Sequence, residues 1–202
     1  MQTWITADWH LGEDRFEIMQ RPFGTPEEMG DVLKTNHNAL VSPDDLVYVV
    51  GDVCYQKAPH WLPFVKEFNG RKILIRGNHD RVFSDNDLAP YFETIVPDGE
   101  GLNPCPGVSI NPFYLVHYPS LARRDYFNLV GHIHGAWKFQ LNSINVGVDV
   151  NHFRPLSAER DIPFFVKAIS EFYDNDVWSA YSDANMSYRG IRGKQSSYFQ
   201  QK

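Results

Sequence analysis

Short apolar runs, rich in β-branched and aromatic residues, punctuate this chain between polar loops. They fall at Thr3–Ala7, Leu46–Val50, Ile73–Ile75, Phe113–Val116, Phe127–Val130 and Ile144–Val148. Most are too short for helices and read as buried strands. Helical signals lie between some of them. Thr25-Pro26-Glu27-Glu28 combines an N-cap threonine, a proline in the first turn and a glutamate three residues on. The pattern predicts a helix from there to about Leu40, stopping before Ser42-Pro43. A second helix is expected over His60–Phe68, closed by Asn69-Gly70 as a left-handed cap. A third is expected over Ile162–Phe172, where apolar residues return at helical spacing. Strand and helix alternate in the first half and strands dominate the second, which predicts an α/β domain with packed sheets and flanking helices.

A chain of 202 residues suggests one domain with a sizeable core, assigned here to residues 1–186. The polar end, Ser187–Lys202, rich in Gln, Ser, Gly and Arg, reads as a loose tail. A net charge of −6 weighs against broad nucleic-acid binding, so no stable nucleic-acid complex is expected. It is compatible with a small phosphorylated ligand, because bound cations reverse the local field. The two cysteines, Cys54 and Cys105, form no disulfide framework and read as reduced thiols. The N-terminus carries no secretory pattern, and no apolar stretch approaches the ~20 residues needed to span a bilayer. A cytoplasmic location without a membrane partner follows as the expectation; the pattern selects no oligomeric state.

Chemistry changes the picture more than composition does. Polar residues follow five of the six runs: Asp8-Trp9-His10, Gly51-Asp52, Gly77-Asn78-His79-Asp80 (after Arg76), His117, and Gly131-His132-Ile133-His134. The carboxyl ends of strands are where sites in α/β folds assemble, so neighbouring strands would bring these residues to one spot. Asp8 and His10, and likewise His132 and His134, are two apart and would point the same way on extended chain. Imidazoles bind Zn, Fe, Ni or Mn, and carboxylates bind harder ions. Asp52 has two oxygens with which to bridge two cations, and Asn78 offers a neutral amide oxygen. Glycines 51, 77 and 131 let the backbone turn sharply where each strand ends.

In this order the motifs resemble those of the calcineurin-like metallophosphoesterase superfamily. The stretches Arg21-Pro22-Phe23, Pro43–Tyr48 and Asn145–Asp149 are similar to those of its small bacterial and phage members. The resemblance implies a layered α/β-β-α sandwich of two packed mixed β-sheets flanked by helices. It implies two divalent metal ions, Mn, Fe, Zn or Ni, with Mn favoured. One would be held by Asp8, His10, Asp52 and His134, the other by Asp52, Asn78, His117 and His132. His79 would sit beside the ions, contact the phosphate and protonate the leaving oxygen, with Asp80 orienting it. The implied activity is hydrolysis of a phosphodiester or of a small phosphorylated metabolite or nucleotide, by attack of a metal-held hydroxide on phosphorus.

Two other readings stand beside it. A protein serine/threonine phosphatase would carry Asp-Arg-Gly and Gly-Asn-His-Glu elements, where this chain has Asp52-Val53-Cys54 and ends its third motif in Asp80. A non-catalytic scaffold of the same fold would have lost ligands that this chain keeps. Outside the motifs, His37 and His60 read as core or surface residues and Cys54 as a packed thiol. Glu13 and Asp14 read as solvated loop carboxylates. Trp9, Trp61, Phe64 and Phe68 read as core, Arg123-Arg124 as ordinary surface, and His152 as a candidate for the rim of the site.

Overall fold

The computed structural model describes residues 1–98, 107–110, 112–140 and 142–172. Two five-stranded mixed sheets pack face to face. In the first, β1 (Thr3–Thr6), β2 (Leu46–Val49), β3 (Arg71–Ile75) and β4 (Thr94–Val96) run parallel, and β10 (Leu156–Ser157) closes the β1 edge antiparallel. In the second, β6 (Phe113–Val116), β7 (Phe127–Val130) and β9 (Ser143–Asn145) run parallel, with β5 (Val108–Ile110) and β8 (Phe139–Gln140) as antiparallel edges.

Side-chain alternation explains the continuous apolar runs. Ile5, Tyr48 and Val50 face the second sheet and meet Leu115, Leu129 and Ile144 in one core. Trp4, Val47, Val49 and Leu74 face the other way, onto Met29, Leu33, Leu62 and Val65. Strands covered on both faces favour apolar side chains on both, so their runs are nearly continuous rather than alternating.

The helices flank these layers. After the short α1 (Phe16–Met19), α2 spans Pro26–Asn38. Thr25 Oγ1 accepts from the Glu28 amide at 3.1 Å, as the N-cap signal requires, but the Glu28 carboxylate reaches one residue further back, to the Gly24 amide at 2.8 Å. The helix expected at His60–Phe68 is instead a 3₁₀ segment, Pro59–Glu67. Pro63 lies inside it and has no N–H to donate to an i−4 carbonyl. Gly70 has φ +91° as expected, but it follows an extended Phe68 and leads into β3 rather than capping a helix. A four-residue α3 (Asp85–Leu88) precedes β4, and α4 (Asp161–Phe172) adds Ile162 and Ile169 to the core between the sheets. The tail expected at 187–202, the domain end expected at 186 and Cys105 lie outside the described residues. Among the described residues no helix is long and apolar enough to cross a membrane.

Candidate metal centre

Parallel pairing of β1, β2 and β3, and of β6 and β7, brings their carboxyl ends to one side. The loops that follow are tied together by backbone hydrogen bonds. The Asp8 amide donates to Gly51 O, the His10 amide to Asp52 O and the Gly131 amide to His117 O, at 3.0, 3.0 and 3.1 Å. The side chains are aimed differently from the sequence expectation. Asp8, His10, Asp52, His132 and His134 are not on extended chain; their φ angles are +59°, +50°, +55°, +75° and +47°. Left-handed backbone costs an L residue roughly 1–2 kcal/mol, and such strain gathers where a site dictates the direction of its side chains.

The glycines also act differently from one another. Gly51 has φ +86°, as a sharp turn requires. Gly77 and Gly131 do not have positive φ; they make room. A Cβ on Gly77 would overlap Asp52 Oδ1, and one on Gly131 would lie 2.9 Å from Asp8 Oδ2.

Two groups of potential ligands result, and they share a residue. His10, Asp52 and His79 form one and Asp52, His117 and His132 the other, each with ligand atoms within 4.8 Å of one another. Asp52 Oδ2 lies 3.5 Å from His10 Nε2 and 3.4 Å from His117 Nε2. Asn78 Oδ1 joins the second group, 3.3 Å from His117 Nε2 and 2.9 Å from His132 Nδ1. On the first side the His134 ring lies 4.8 Å from that of His10. Asp8 is fully buried and accepts the His132 amide on both carboxylate oxygens. His79, expected beside the ions, places a ring nitrogen within 4.8 Å of ligand atoms of His10 and Asp52. Both ring nitrogens of His10, and Nδ1 of His79, are buried without a hydrogen-bond partner. Each such atom costs about 1–3 kcal/mol if left unpaired. A cation is the partner that fits, so the residues present suit a pair of divalent ions.

Further contacts fix which nitrogen each histidine presents. His117 Nδ1 donates to Val50 O at 2.8 Å, leaving Nε2 toward Asp52 and Asn78. His134 Nδ1 donates to Asp149 Oδ2 at 3.0 Å. Asp149 is clasped by the buried Arg21, with Nε to Oδ1 at 2.7 Å and Nη2 to Oδ2 at 2.9 Å. The same guanidinium donates to the carbonyls of Asp8 and Trp9 at 2.6 and 2.9 Å. Both residues stood in stretches noted in the sequence, but nothing there signalled that positions so far apart would pair.

Asp80 corrects an expectation. Its carboxylate does not orient His79; it accepts the backbone amides of Asp52, Val53 and Gly77 at 2.8, 3.0 and 2.8 Å. The side chain folds back over its own loop, where these donors take up its oxygens, and so pins the second motif to the third. His79 is held by its backbone instead, its amide donating to Asp52 Oδ1 at 2.8 Å.

The electrostatics match a site made for cations. Burial pushes the Asp8 carboxyl up to about 6, and burial with the neighbouring Asp52 pushes Asp80 up to about 6. Burial also acts on Asp52, but hydrogen bonding and attraction from His117 hold it well below the usual carboxylate range. Burial lowers His10, His79 and His132, which favours the neutral form that a metal-binding imidazole needs. Burial disfavours charge on His117 too, yet Asp52 raises it to about 9. Without a cation, His117 holds the proton that balances Asp52.

A cleft of about 740 Å³ opens on His10, His79 and His134. Arg15, Ile18 and Phe153 line it as well. Glu13 is not solvated as expected: its side chain is 1% exposed and binds Arg15 through both oxygens. His152 is exposed, and its neighbour Phe153 lines the cleft instead. His37 is a core residue, ring to Asn69 O at 3.0 Å, and Trp9 stacks on Phe68 at 4.3 Å. Cys54 is buried outside both ligand groups, with its thiol pushed up by burial. Arg123 lies over the Tyr114 ring at 4.9 Å.

Comparison with known proteins agrees with this geometry. The model of the calcineurin-like phosphoesterase family matches residues 1–191. The chain is 28% identical over 169 residues to the uncharacterized protein MJ1445 of Methanocaldococcus jannaschii, covering 77% of this chain and 86% of that protein. It is 33% identical over 81 residues to the Gene 66 protein of Mycobacterium phage L5, 39% of either chain. The crystal structure of AQ665 from Aquifex aeolicus, a protein of unknown function, shares the fold with a TM-score of 0.59 at 23% identity, over 81% of this chain and 98% of that one.

Proposed function

The chain belongs to the calcineurin-like phosphoesterase family, and from that premise we propose that it hydrolyses phosphate esters with two divalent cations. The observation that carries the reading is the sharing of Asp52 between two groups of potential ligands, beside a His10 whose buried ring nitrogens have no partner. Asp8, His10, Asp52 and His134 would hold one ion, and Asp52, Asn78, His117 and His132 the other. Mixed imidazole, carboxylate and amide donors suit Mn, Fe, Zn or Ni, and this reading takes manganese. When bound, such a pair supplies an acidified water as nucleophile and neutralises charge on the phosphoryl oxygens.

The protein's own groups do the rest. Asp149 and Val50 O hold the protons of His134 and His117 on Nδ1, so that each presents Nε2. The His79 amide anchors Asp52 Oδ1. The His79 imidazole lines the cleft and delivers a proton to the leaving alkoxide oxygen. In this reading the protein works in the cytoplasm on a small phosphorylated ligand, a diester or a phosphorylated metabolite or nucleotide, rather than on nucleic acid or lipid. The test is to load the protein with manganese, count bound ions per chain, and assay bis-p-nitrophenyl phosphate and p-nitrophenyl phosphate. Two bound ions with turnover of at least one ester are expected, and Asp52→Asn should lose both metal and rate. A fully loaded protein inert toward both esters would overturn the reading.

A further inference from the structure

We propose that α1 and the residues flanking it form a recognition wall for the alcohol part of the ester, selecting a flat, uncharged ring system with polar edges. The proposal rests on the phosphoesterase reading for the position of the phosphate and goes beyond it in naming what the rest of the substrate is.

The wall is held at both ends. Phe16, at the start of α1, is buried in the core, and Arg21, just past its end, is locked onto Asp149 and the first metal-site loop. Between them Ile18 is 73% exposed on the wall of the cleft that reaches His10, His79 and His134. A single exposed isoleucine is ordinary. This one sits with Met19 and Phe153 in a cleft of about 740 Å³, the size of small-molecule sites.

The polar groups of the wall are fixed as well. Arg15 Nε and Nη2 donate to Glu13 at 2.8 and 2.9 Å, and the guanidinium lies 4.6 Å from the Tyr55 ring centroid. The Arg15 side chain is 47% exposed and lines the cleft, and Nη1 makes no hydrogen bond among the described residues, so its donors are open to a ligand. Gln20, which ends α1 at φ +55°, adds an amide on the same wall.

Charge and shape then choose the occupant. Glu13 balances Arg15 and Arg21 balances Asp149, so the wall offers no net charge to a second phosphate. A hydrocarbon tail would leave Arg15 and Gln20 against methylene groups. A bare sugar would leave Ile18, Met19 and Phe153 against hydroxyls. A heteroaromatic ring meets both demands, with apolar faces for the side chains and an edge that hydrogen-bonds.

Equilibrium binding tests this without requiring turnover. The methylenephosphonate analogues of adenosine 5′-phosphate and ribose 5-phosphate, whose C–P bond is not hydrolysed, and inorganic phosphate are titrated into the manganese-loaded protein by calorimetry. Burial of one ring face corresponds to roughly tenfold in affinity, so the nucleotide analogue is expected to bind about tenfold tighter than the sugar analogue. In Ile18→Asp, an exposed position that leaves the core intact, the two affinities should converge. Equal affinities in the native protein, or a preference that Ile18→Asp leaves unchanged, would overturn the proposal. A preserved preference without hydrolysis of any ester would strike the phosphoesterase reading and leave the wall standing; no binding of any of the three would overturn both.

Discussion

His134 donates from Nδ1 to Asp149 Oδ2 at 3.0 Å, and the carboxylate is clasped in turn by a guanidinium with no exposed surface. His134, proposed as a metal ligand, its partner Asp149 and the Arg21 that also holds Asp8 and Trp9 thus form one chain of hydrogen bonds. Groups that orient metal-binding histidines typically contribute 10–100-fold in metal affinity. Asp149→Asn keeps the shape and an acceptor for His134 but removes the charge opposite Arg21. Metal titration should show a ~10–100-fold weaker site. Urea unfolding should show a loss of about 3–5 kcal/mol, the usual result of leaving one member of a buried pair uncompensated. Unchanged metal affinity in the folded variant would mean that Asp149 does not position His134.

Asp80 makes a separate prediction, because its carboxylate serves three amides and not the His79 ring. Asp80→Ala strands three buried N–H groups, each about 1–3 kcal/mol if left unpaired. Asp80→Asn keeps an acceptor oxygen but turns an NH₂ toward donors. Stability in urea should fall in the order native, Asn, Ala, with metal content falling alongside as the Asp52 loop loosens. An alanine variant as stable as the native protein would refute the account.

What was legible in the sequence follows the burial of each element. The six apolar runs are the six interior strands. The four strands not foreseen, β4, β5, β8 and β10, are the edges of the two sheets and only two or three residues long. An interior strand is covered on both faces and is mostly apolar, whereas an edge as short as Phe139–Gln140 carries no periodicity to detect. The helix expected at His60–Phe68 lies within one residue of the observed Pro59–Glu67 at each end, but Pro63 changes its winding. In the site, residue type and order picked out side chains that the fold brings together. The turns that aim them were not legible, because Asp8, His10, Asp52, His132 and His134 adopt φ values usually left to glycine. Arg21 and Asp149 were hidden for another reason: only the folded sheets bring them together.

His37 links a buried ring to acid stability. Burial, partly offset by the hydrogen bond to Asn69 O and reinforced by Lys72, lowers its pKa from 6.5 to about 4. The unfolded chain therefore binds a proton before the folded one does. The resulting stability is complete above about pH 6.5 and is lost as pH falls toward 4. Between pH 7 and 4.5 the loss amounts to about 2 kcal/mol. His37→Gln removes this component, so its unfolding free energy should fall by about 2 kcal/mol less over that interval than the native protein's. Parallel pH dependences in the two proteins would show that the ring is not held neutral in the folded core.

His79 is the residue on which metal binding and proton delivery separate. It places a ring nitrogen within 4.8 Å of ligand atoms of His10 and Asp52, has a buried Nδ1 without a partner, and lines the cleft where a leaving group would depart. Burial lowers its pKa, which makes the ring a readier proton donor once charged and a competent ligand when neutral. Two measurements on His79→Gln tell these roles apart. As a proton donor beside the ions, it should leave metal stoichiometry intact while the rate falls by ~10²–10⁴. The fall should be steeper for alkyl esters than for p-nitrophenyl esters, whose leaving oxygen needs little protonation. As a ligand, it should cost bound metal and slow both ester classes alike. Retained metal with undiminished rates on both classes would remove His79 from the reaction and leave the proton to another group or to solvent.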